Sequence, residues 1–415
     1  MFRKIIKYCI ILGILFISKT SCTNKSDFEL KRLVQPLSSK GDLFGWSCSI
    51  SGNYCFVGAL DKSFDSIKKA GACYIYNKQN SKWKYKQILW SPTPQECSYF
   101  GRSVSVSGPY AVIGAYGQKH CYDTITKRRT GSAFIYKCED GEWKFYQEIN
   151  LLNSDYINSN FGVQVSISED NLAISAQNPA EVYMYKLKNN SWNFIQKIKN
   201  KCPFFGYTIS CRKNRLVIGS GGVCGEIYVY KYQNNEWLLT DGVYSQNKSE
   251  TFGTSVEIND NFLFVGEEEG INDQTSFATG CVHIYKIGMD DRCTFFMKLT
   301  PGRDNMKTGF GSRMSVDSNY LAVGAFAEPL NKLKSSIKDD SILNETNAGA
   351  VYVYKLTKQS NWVLLGKIIS PNPKPWDKFG FSLQISGNNI IIGARLEDND
   401  KKEDSGGAYM FSMKN

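Results

Sequence analysis

An all-β fold built from seven copies of one four-stranded unit is predicted by three features of this sequence. The dipeptide Phe-Gly recurs along the chain at Phe44, Phe100, Phe161, Phe205, Phe252, Phe310 and Phe379, and each copy opens a short alternating segment. Second and third apolar runs follow each start in the same order, one ending near Val-Gly-Ala and one alternating Tyr with Val, Ile or Met. The 35 glycines and an aromatic content of 13% punctuate runs with a period of two residues, which is the pattern of strands.

The unit starting at Phe100 shows each element in turn. Ser103 to Val106 alternates and reads as a first strand. Gly108-Pro109 follows as a tight turn, where glycine supplies the positive φ that such a hairpin needs. Val112-Ile113-Gly114-Ala115 is the second strand, and Ala133-Phe134-Ile135-Tyr136 the third. A fourth strand begins at Trp143, as its sisters do at Trp83, Trp192, Trp237 and Trp362; Cys293 holds that place in the fifth unit. Four antiparallel strands per unit, seven units and no helical periodicity predict a seven-bladed β-propeller. The seventh unit stops near Phe411, before its fourth strand. The segment Phe28 to Pro36 resembles the fourth-strand ends elsewhere, so it is expected to pair with the seventh blade and close the ring.

These residues resemble the short variant of the FG-GAP repeat family, with the pattern FGxSVxISG…VGA…GAxYVY…W…Q across nearly all of residues 28–411. The resemblance implies the seven-bladed propeller found in the heads of integrin α chains. Calcium-binding members carry an acidic DxDxDG hairpin between the first two strands. Here those hairpins read Ser51-Gly52-Asn53, Ser107-Gly108-Pro109 and Ser386-Gly387-Asn388. They lack the six or more oxygens that calcium takes, so no metal or other cofactor is expected.

Residues 1–21 read as a signal peptide: Arg3, Lys4 and Lys7 precede an apolar run from Tyr8 to Ile17 that is too short for a membrane span. The small residue before Cys22 resembles a bacterial lipoprotein processing site, which would make Cys22 the lipidated N-terminus and 22–27 a tether to the membrane. Lys19 departs from the Leu-like residue usual there, and simple secretory cleavage is the alternative. One propeller domain, 28–415, follows. The net charge of +11 includes four basic residues of the signal, and the remaining +7 is spread without a run of like charge. That is ordinary solvated surface, and nucleic acid is not an expected partner.

In such a blade the loops after the second strands and those between blades leave from one face. Here they are long and irregular, for example Tyr116–Thr130, Glu267–Thr279, Phe326–Ala348 and Arg395–Ser405. This long-loop face is the expected binding surface. It carries the acidic clusters Glu267-Glu268-Glu269 and Glu397-Asp398-Asn399-Asp400, read mainly as solvated charge, with cation gathering or acid–base work as the sharper alternatives. Of two histidines, His283 lies on a third strand as a packed or hydrogen-bonded residue, and His120 lies in a loop. No nucleophile–base set emerges from spacing. The glycine-rich run Gly219 to Gly225 joins two strands and opens no helix, so it reads as a turn rather than a phosphate loop.

The cysteines divide. Cys48, Cys55, Cys73, Cys211 and Cys281 occupy strand positions held by small or apolar residues in sister units and are expected as buried fillers. Cys97 and Cys202 each lie three residues before a Phe-Gly, and each has a partner in its own unit's second loop. Disulfides Cys97–Cys121 and Cys202–Cys224 are therefore expected in an exported protein. A zinc site at Cys97, His120 and Cys121 is a weaker alternative for lack of a fourth ligand. Sequons stand at Asn24, Asn189, Asn247 and Asn344. The leading functional expectation is an exported, non-enzymatic binding scaffold, secreted or lipid-anchored in the cell envelope, that takes a protein or glycan ligand. A polysaccharide-acting enzyme and a structural part of an envelope complex are the alternatives.

Overall fold

The computed structural model describes residues 28–121, 127–151, 158–222, 224–246, 249–270, 278–302, 307–329, 347–399 and 402–413, with residues 28–30, 120, 121, 127 and 128 described by backbone alone. The expected signal peptide, Cys22 and the tether lie outside these residues, as do the sequons at Asn24, Asn247 and Asn344.

Seven four-stranded antiparallel sheets account for the repeats. In the first blade the strands are Phe44–Ser51, Tyr54–Ala59, Ala72–Gln79 and Lys82–Leu89, paired in chain order. The seventh blade holds Phe379–Ser386, Asn389–Ala394 and Gly407–Met413, and its fourth strand is the N-terminal segment Phe28–Arg32. That segment runs antiparallel to Gly407–Met413 from Phe28 opposite Met413 to Arg32 opposite Tyr409. The chain ends therefore close the ring within one sheet, as the sequence led us to expect. A small extra hairpin, Lys119–Cys121 with Lys127–Arg129, decorates the second blade.

Each Phe of the Phe-Gly starts is buried against the first ring of its own third strand. Phe44 meets Tyr74 edge-on at 5.2 Å, Phe161 meets Tyr183 at 5.4 Å, and Phe310 meets Tyr352 at 5.2 Å. In the fifth blade the partner of Phe252 is His283, at 5.3 Å. Edge-to-face pairs of this kind add to the burial of large rings. The fourth-strand tryptophans instead join neighbouring blades: Trp143 of the second blade packs on Tyr54 and Phe56 of the first, at 5.4 and 4.8 Å. The apolar core is accordingly a series of clusters between blade faces. One of them unites Phe56 and Ile75 of the first blade with Ile113, Phe134 and Trp143 of the second.

Three kinds of hydrogen bond stitch blade to blade. Ser47, Ser103, Ser255 and Ser382 each donate Oγ to the carbonyl of the next blade's first-strand glycine: Gly101, Gly162, Gly311 and Gly45, at 2.6–2.9 Å. Ser49, Ser105 and Ser315 accept from the backbone N–H of Val106, Ile167 and Ile385. On the outer strands the side chains of Gln87, Gln147 and Gln196 each bond both backbone groups of the neighbouring blade's Trp143, Trp192 and Trp237. These bonds satisfy backbone groups that the blade's own ladder leaves over.

The close approach leaves no room for a side chain on the second strand. A Cβ on Gly114 would overlap both the carbonyl oxygen of Gly162 in the next blade and Ser103 Oγ. Gly114→Ala should therefore destabilise the protein by about 1–3 kcal/mol, seen as a lower urea midpoint at unchanged slope. Gly108, at φ +55° in open space, tests conformation without crowding. Its replacement by Ala should cost about 1 kcal/mol. A loss at Gly114 no larger than that at Gly108 would mean the blades are not in backbone contact there.

Candidate functional site at the channel mouth

The first strands line a central channel with a cavity of about 170 Å³. Val104, Val165, Ile209, Val256 and Leu383, from equivalent positions, contribute an apolar collar. The residues that follow the Phe-Gly glycines, among them Trp46, Arg102, Tyr207 and Phe381, also line it. These positions, together with those after the second strands, are where the seven units differ most in chemistry.

At the mouth on the long-loop face, cations and rings alternate. The Arg102 guanidinium lies 5.4 Å from the Trp46 ring, and Arg395 lies 4.6 Å from the same ring and 3.9 Å from Phe381. Arg313 approaches Phe381 from another side at 5.4 Å, and Trp46 and Phe381 are themselves 5.3 Å apart. The series continues outward: Phe326 lies beside Phe381, and Lys378 sits over both Phe326 and Trp376. Stacking on ring faces is favourable for weakly hydrated guanidinium groups.

Electrostatically this mouth carries an excess of positive charge, with Glu268 and Asp404 acting on it without direct ion pairs. Among the described residues, none of the three arginines has a carboxylate within ion-pairing distance. Arg313 Nη1 donates to the Ser312 carbonyl, and the buried Arg395 Nε has no acceptor. Burial, with repulsion from Arg313 and Arg395, pushes Arg102 down to about 10. Burial and Arg313 likewise lower Arg395, and burial and Arg395 lower Lys378. Like charges held in a half-buried site are costly without an anion.

Sequence-predicted acidic residues are placed differently from one another. Glu268 is half-buried near this mouth: burial raises its carboxyl, and Arg313 and Lys378 pull it back. Glu267 and Glu397 are buried, which corrects their reading as solvated charge. Glu397 accepts from Tyr409 Oη at 2.6 Å and from Arg32 Nη2 at 2.7 Å, so it ties the closing strand to the seventh blade. Burial outweighs these bonds and raises its carboxyl. Glu267 accepts from His283 and Cys281. Burial alone would raise it, but the bonds from His283, Ser249 and Cys281 bring it down to about 2. Asp398 is exposed and accepts the Asp404 N–H at 3.0 Å. The four are not gathered into one acid–base pair, since Glu267 and Glu397 are each engaged within their own blade.

A recurrent polar residue escaped the sequence reading. Three positions after the second strand's alanine stand Lys62, Gln118, Glu328 and Glu397, all buried. Each pins its loop by donating its N–H to that alanine's carbonyl and accepting at its own carbonyl the N–H of a later glycine. The four side chains are one cation, one amide and two carboxylates, so only their shared offset marks them as equivalent, and Glu397 reads from sequence only as a member of an acidic cluster.

The cysteines resolve in part as expected. Cys202 and Cys224 form a disulfide. Cys97 is a free thiol, and the side chains of Cys121 and His120 lie outside the described residues, so the Cys97–Cys121 pairing has no disulfide in this structure. Cys55, Cys73 and Cys211 are buried fillers, and Cys48 is half-buried beside Ser382. Cys281 is buried too, but its sulfur is hydrogen-bonded rather than merely packed. A hollow near the disulfide, of about 640 Å³ and lined by Lys199, Lys201, Glu226 and Tyr228 among others, is shallow and open, and its Glu226 is engaged by Tyr228.

Lower in the channel Glu257 accepts from Ser210 Oγ at 3.1 Å. Burial pushes its carboxyl up to about 7, only partly offset by Ser210 and Arg212. The folded state thus keeps a proton that an unfolded Glu loses near pH 4.3. Unfolding between about pH 4.3 and 7 releases that proton, so stability falls as pH rises through this window. Glu257→Gln should flatten that fall in urea midpoints measured from pH 4.5 to 7.5; an unchanged slope would place the titrating group elsewhere.

Comparison with known proteins bears on the repeats. The FG-GAP repeat model matches residues 29–76, 83–136 and 362–411, which hold the chain-closing strand, most of the first blade, the first three strands of the second, the fourth strand of the sixth and most of the seventh. Set against the curated proteins, the sequence has no significant match.

Proposed function

We propose that this FG-GAP repeat β-propeller is a non-enzymatic binding scaffold that takes an anionic group of a protein or glycan ligand at its channel mouth. The alternating stack of Arg102, Trp46, Arg395, Phe381 and Arg313 carries the proposal. Guanidinium groups gain most from carboxylate, sulfate or phosphate oxygens presented in their plane. The rings fix their orientation, and the propeller fixes the rings, so a ligand loses little further freedom of the site on binding. The engagement of Glu267 and Glu397 inside their own blades supports a binder over a hydrolase that would need a free carboxylate pair. The Cys202–Cys224 disulfide supports placement outside the reducing cytoplasm. Lipid at Cys22 would hold such a scaffold at the membrane surface.

Binding to dextran sulfate, polygalacturonate and polyglutamate, with neutral dextran as the control, tests the proposal. The wild-type chain should bind at least one polyanion at about 0.15 M salt and release it at higher salt. An Arg102→Gln, Arg395→Gln double variant should lose at least about tenfold in affinity at an unchanged melting temperature. Binding to none of the polyanions, or equal binding by the double variant, would overturn it.

A further inference from the structure

We propose that Glu267, Cys281 and His283 form a zinc-binding site in the fifth blade, separate from the arginine mouth. Cys281 Sγ lies 3.3 Å from Glu267 Oε2 and 3.2 Å from His283 Nε2, and those two atoms are 2.7 Å apart. All three donors therefore meet at a single point. A proton relay has a different geometry, with the acid on one ring nitrogen of histidine and the nucleophile on the other. Three atoms at these spacings leave room for an ion about 2.0–2.3 Å from each, just off their common plane, which is the range of zinc bonds to carboxylate, imidazole and thiolate.

The sister blades show what packing alone requires at these places. Where Glu267 stands, five blades have alanine: Ala59, Ala115, Ala176, Ala325 and Ala394. The residue across the ladder from it is Cys281, where the first, sixth and seventh blades have Ala72, Ala350 and Gly407. His283 replaces a tyrosine found in five of the other blades, such as Tyr352. In one blade three neighbouring positions have thus changed together, and every change installs a metal-ligating side chain. A filler role would have kept alanine, and a packing role would have kept tyrosine.

The arrangement is held rigidly. Glu267 and Cys281 are directly paired on the two middle strands, and His283, two residues on, points to the same face. The imidazole is wedged edge-on between Phe252 at 5.3 Å and Phe295 at 6.3 Å. Gly270 arches over the cluster, where a Cβ would overlap the sulfur. A slight exposure of His283 and Glu267 leaves an approach from solvent. Thiolate and imidazole disfavour calcium and magnesium, and two negative ligands balance a dication. Loading would release the thiol proton and put the imidazole proton on Nδ1, leaving Nε2 free to ligate. Three protein ligands leave a fourth position for water.

Titration of the full-length, reduced, chelator-stripped protein with Zn²⁺ and with Co²⁺ tests the site. One equivalent of Zn²⁺ should bind, and Co²⁺ should give a thiolate-to-metal charge-transfer band. Cys281→Ala and His283→Tyr restore sister-blade residues and should still melt cooperatively without metal, at a somewhat lower temperature because each removes a bond to Glu267. Each should abolish the band and weaken Zn²⁺ binding at least about 100-fold. Absence of stoichiometric zinc, or zinc and band retained by both variants, would overturn the assignment. So would a band lost in Cys97→Ala but kept in Cys281→Ala, which would move the metal to another cysteine.

Discussion

Bare backbone meeting bare backbone between blades is the constraint on which this molecule rests. The second-strand glycines Gly58, Gly114, Gly266, Gly324 and Gly393 face the carbonyls of Gly101, Gly162, Gly311, Gly380 and Gly45, each in the neighbouring blade's opening dipeptide. Those opening glycines adopt φ near +90°, a region closed to side-chain-bearing residues. The turn they make aims their carbonyls sideways, where a serine hydroxyl from the neighbour reaches all but that of Gly380. Contact and hydrogen bond share one geometry, and the phenylalanine ahead of the glycine is thereby fixed against its own third strand. Sequence periodicity follows from this contact because it recurs around a closed circle, the third blade being the exception with Ser175 in the glycine's place.

Closure has a second consequence. A ring brings to its axis residues from every blade, so side chains remote in sequence become neighbours without any local signal. Arg102, Arg313 and Arg395 come from the second, sixth and seventh blades, and the two rings between them come from the first and seventh. In an open sheet three arginines would spread into solvent and be screened. Here all three lie against the same two rings at the channel mouth, and their mutual repulsion underlies the anion binding we propose.

The fold was legible because each structural requirement appears repeatedly, so the constant positions separate from the variable ones by inspection. The closing strand was legible for a related reason: one unit lacked its fourth strand and one strand lacked a unit. The Cys202–Cys224 disulfide could be read from its offset before Phe205, although the same offset at Cys97 leaves a free thiol. The channel mouth was not legible, since Arg102, Trp46, Phe381 and Arg395 each occupy a position that varies between units. Their meaning lies in a juxtaposition that only the closed ring creates. Charge was misleading at Glu267 and Glu397, because a loop-flanking carboxylate looks solvated until the tyrosine, histidine or arginine that engages it is placed beside it.

The fifth blade shows how such a ring can acquire chemistry without losing its architecture. It departs from its sisters at Glu267, Cys281, His283 and Cys293, yet Gly266 still meets the Gly311 carbonyl and Ser255 still donates to it. Where other blades use a glutamine on the outer tryptophan, the fifth receives Asp241 Oδ2 on the Cys293 N–H at 2.7 Å, a shorter side chain for a smaller neighbour. The inter-blade contacts use one face and one set of positions. The middle of the blade, between the second and third strands, uses another. Substitution there changes the blade's own interior while the circle stays closed, so a repeat that looks degenerate by sequence is the place where a repeat protein is freest to differ in function.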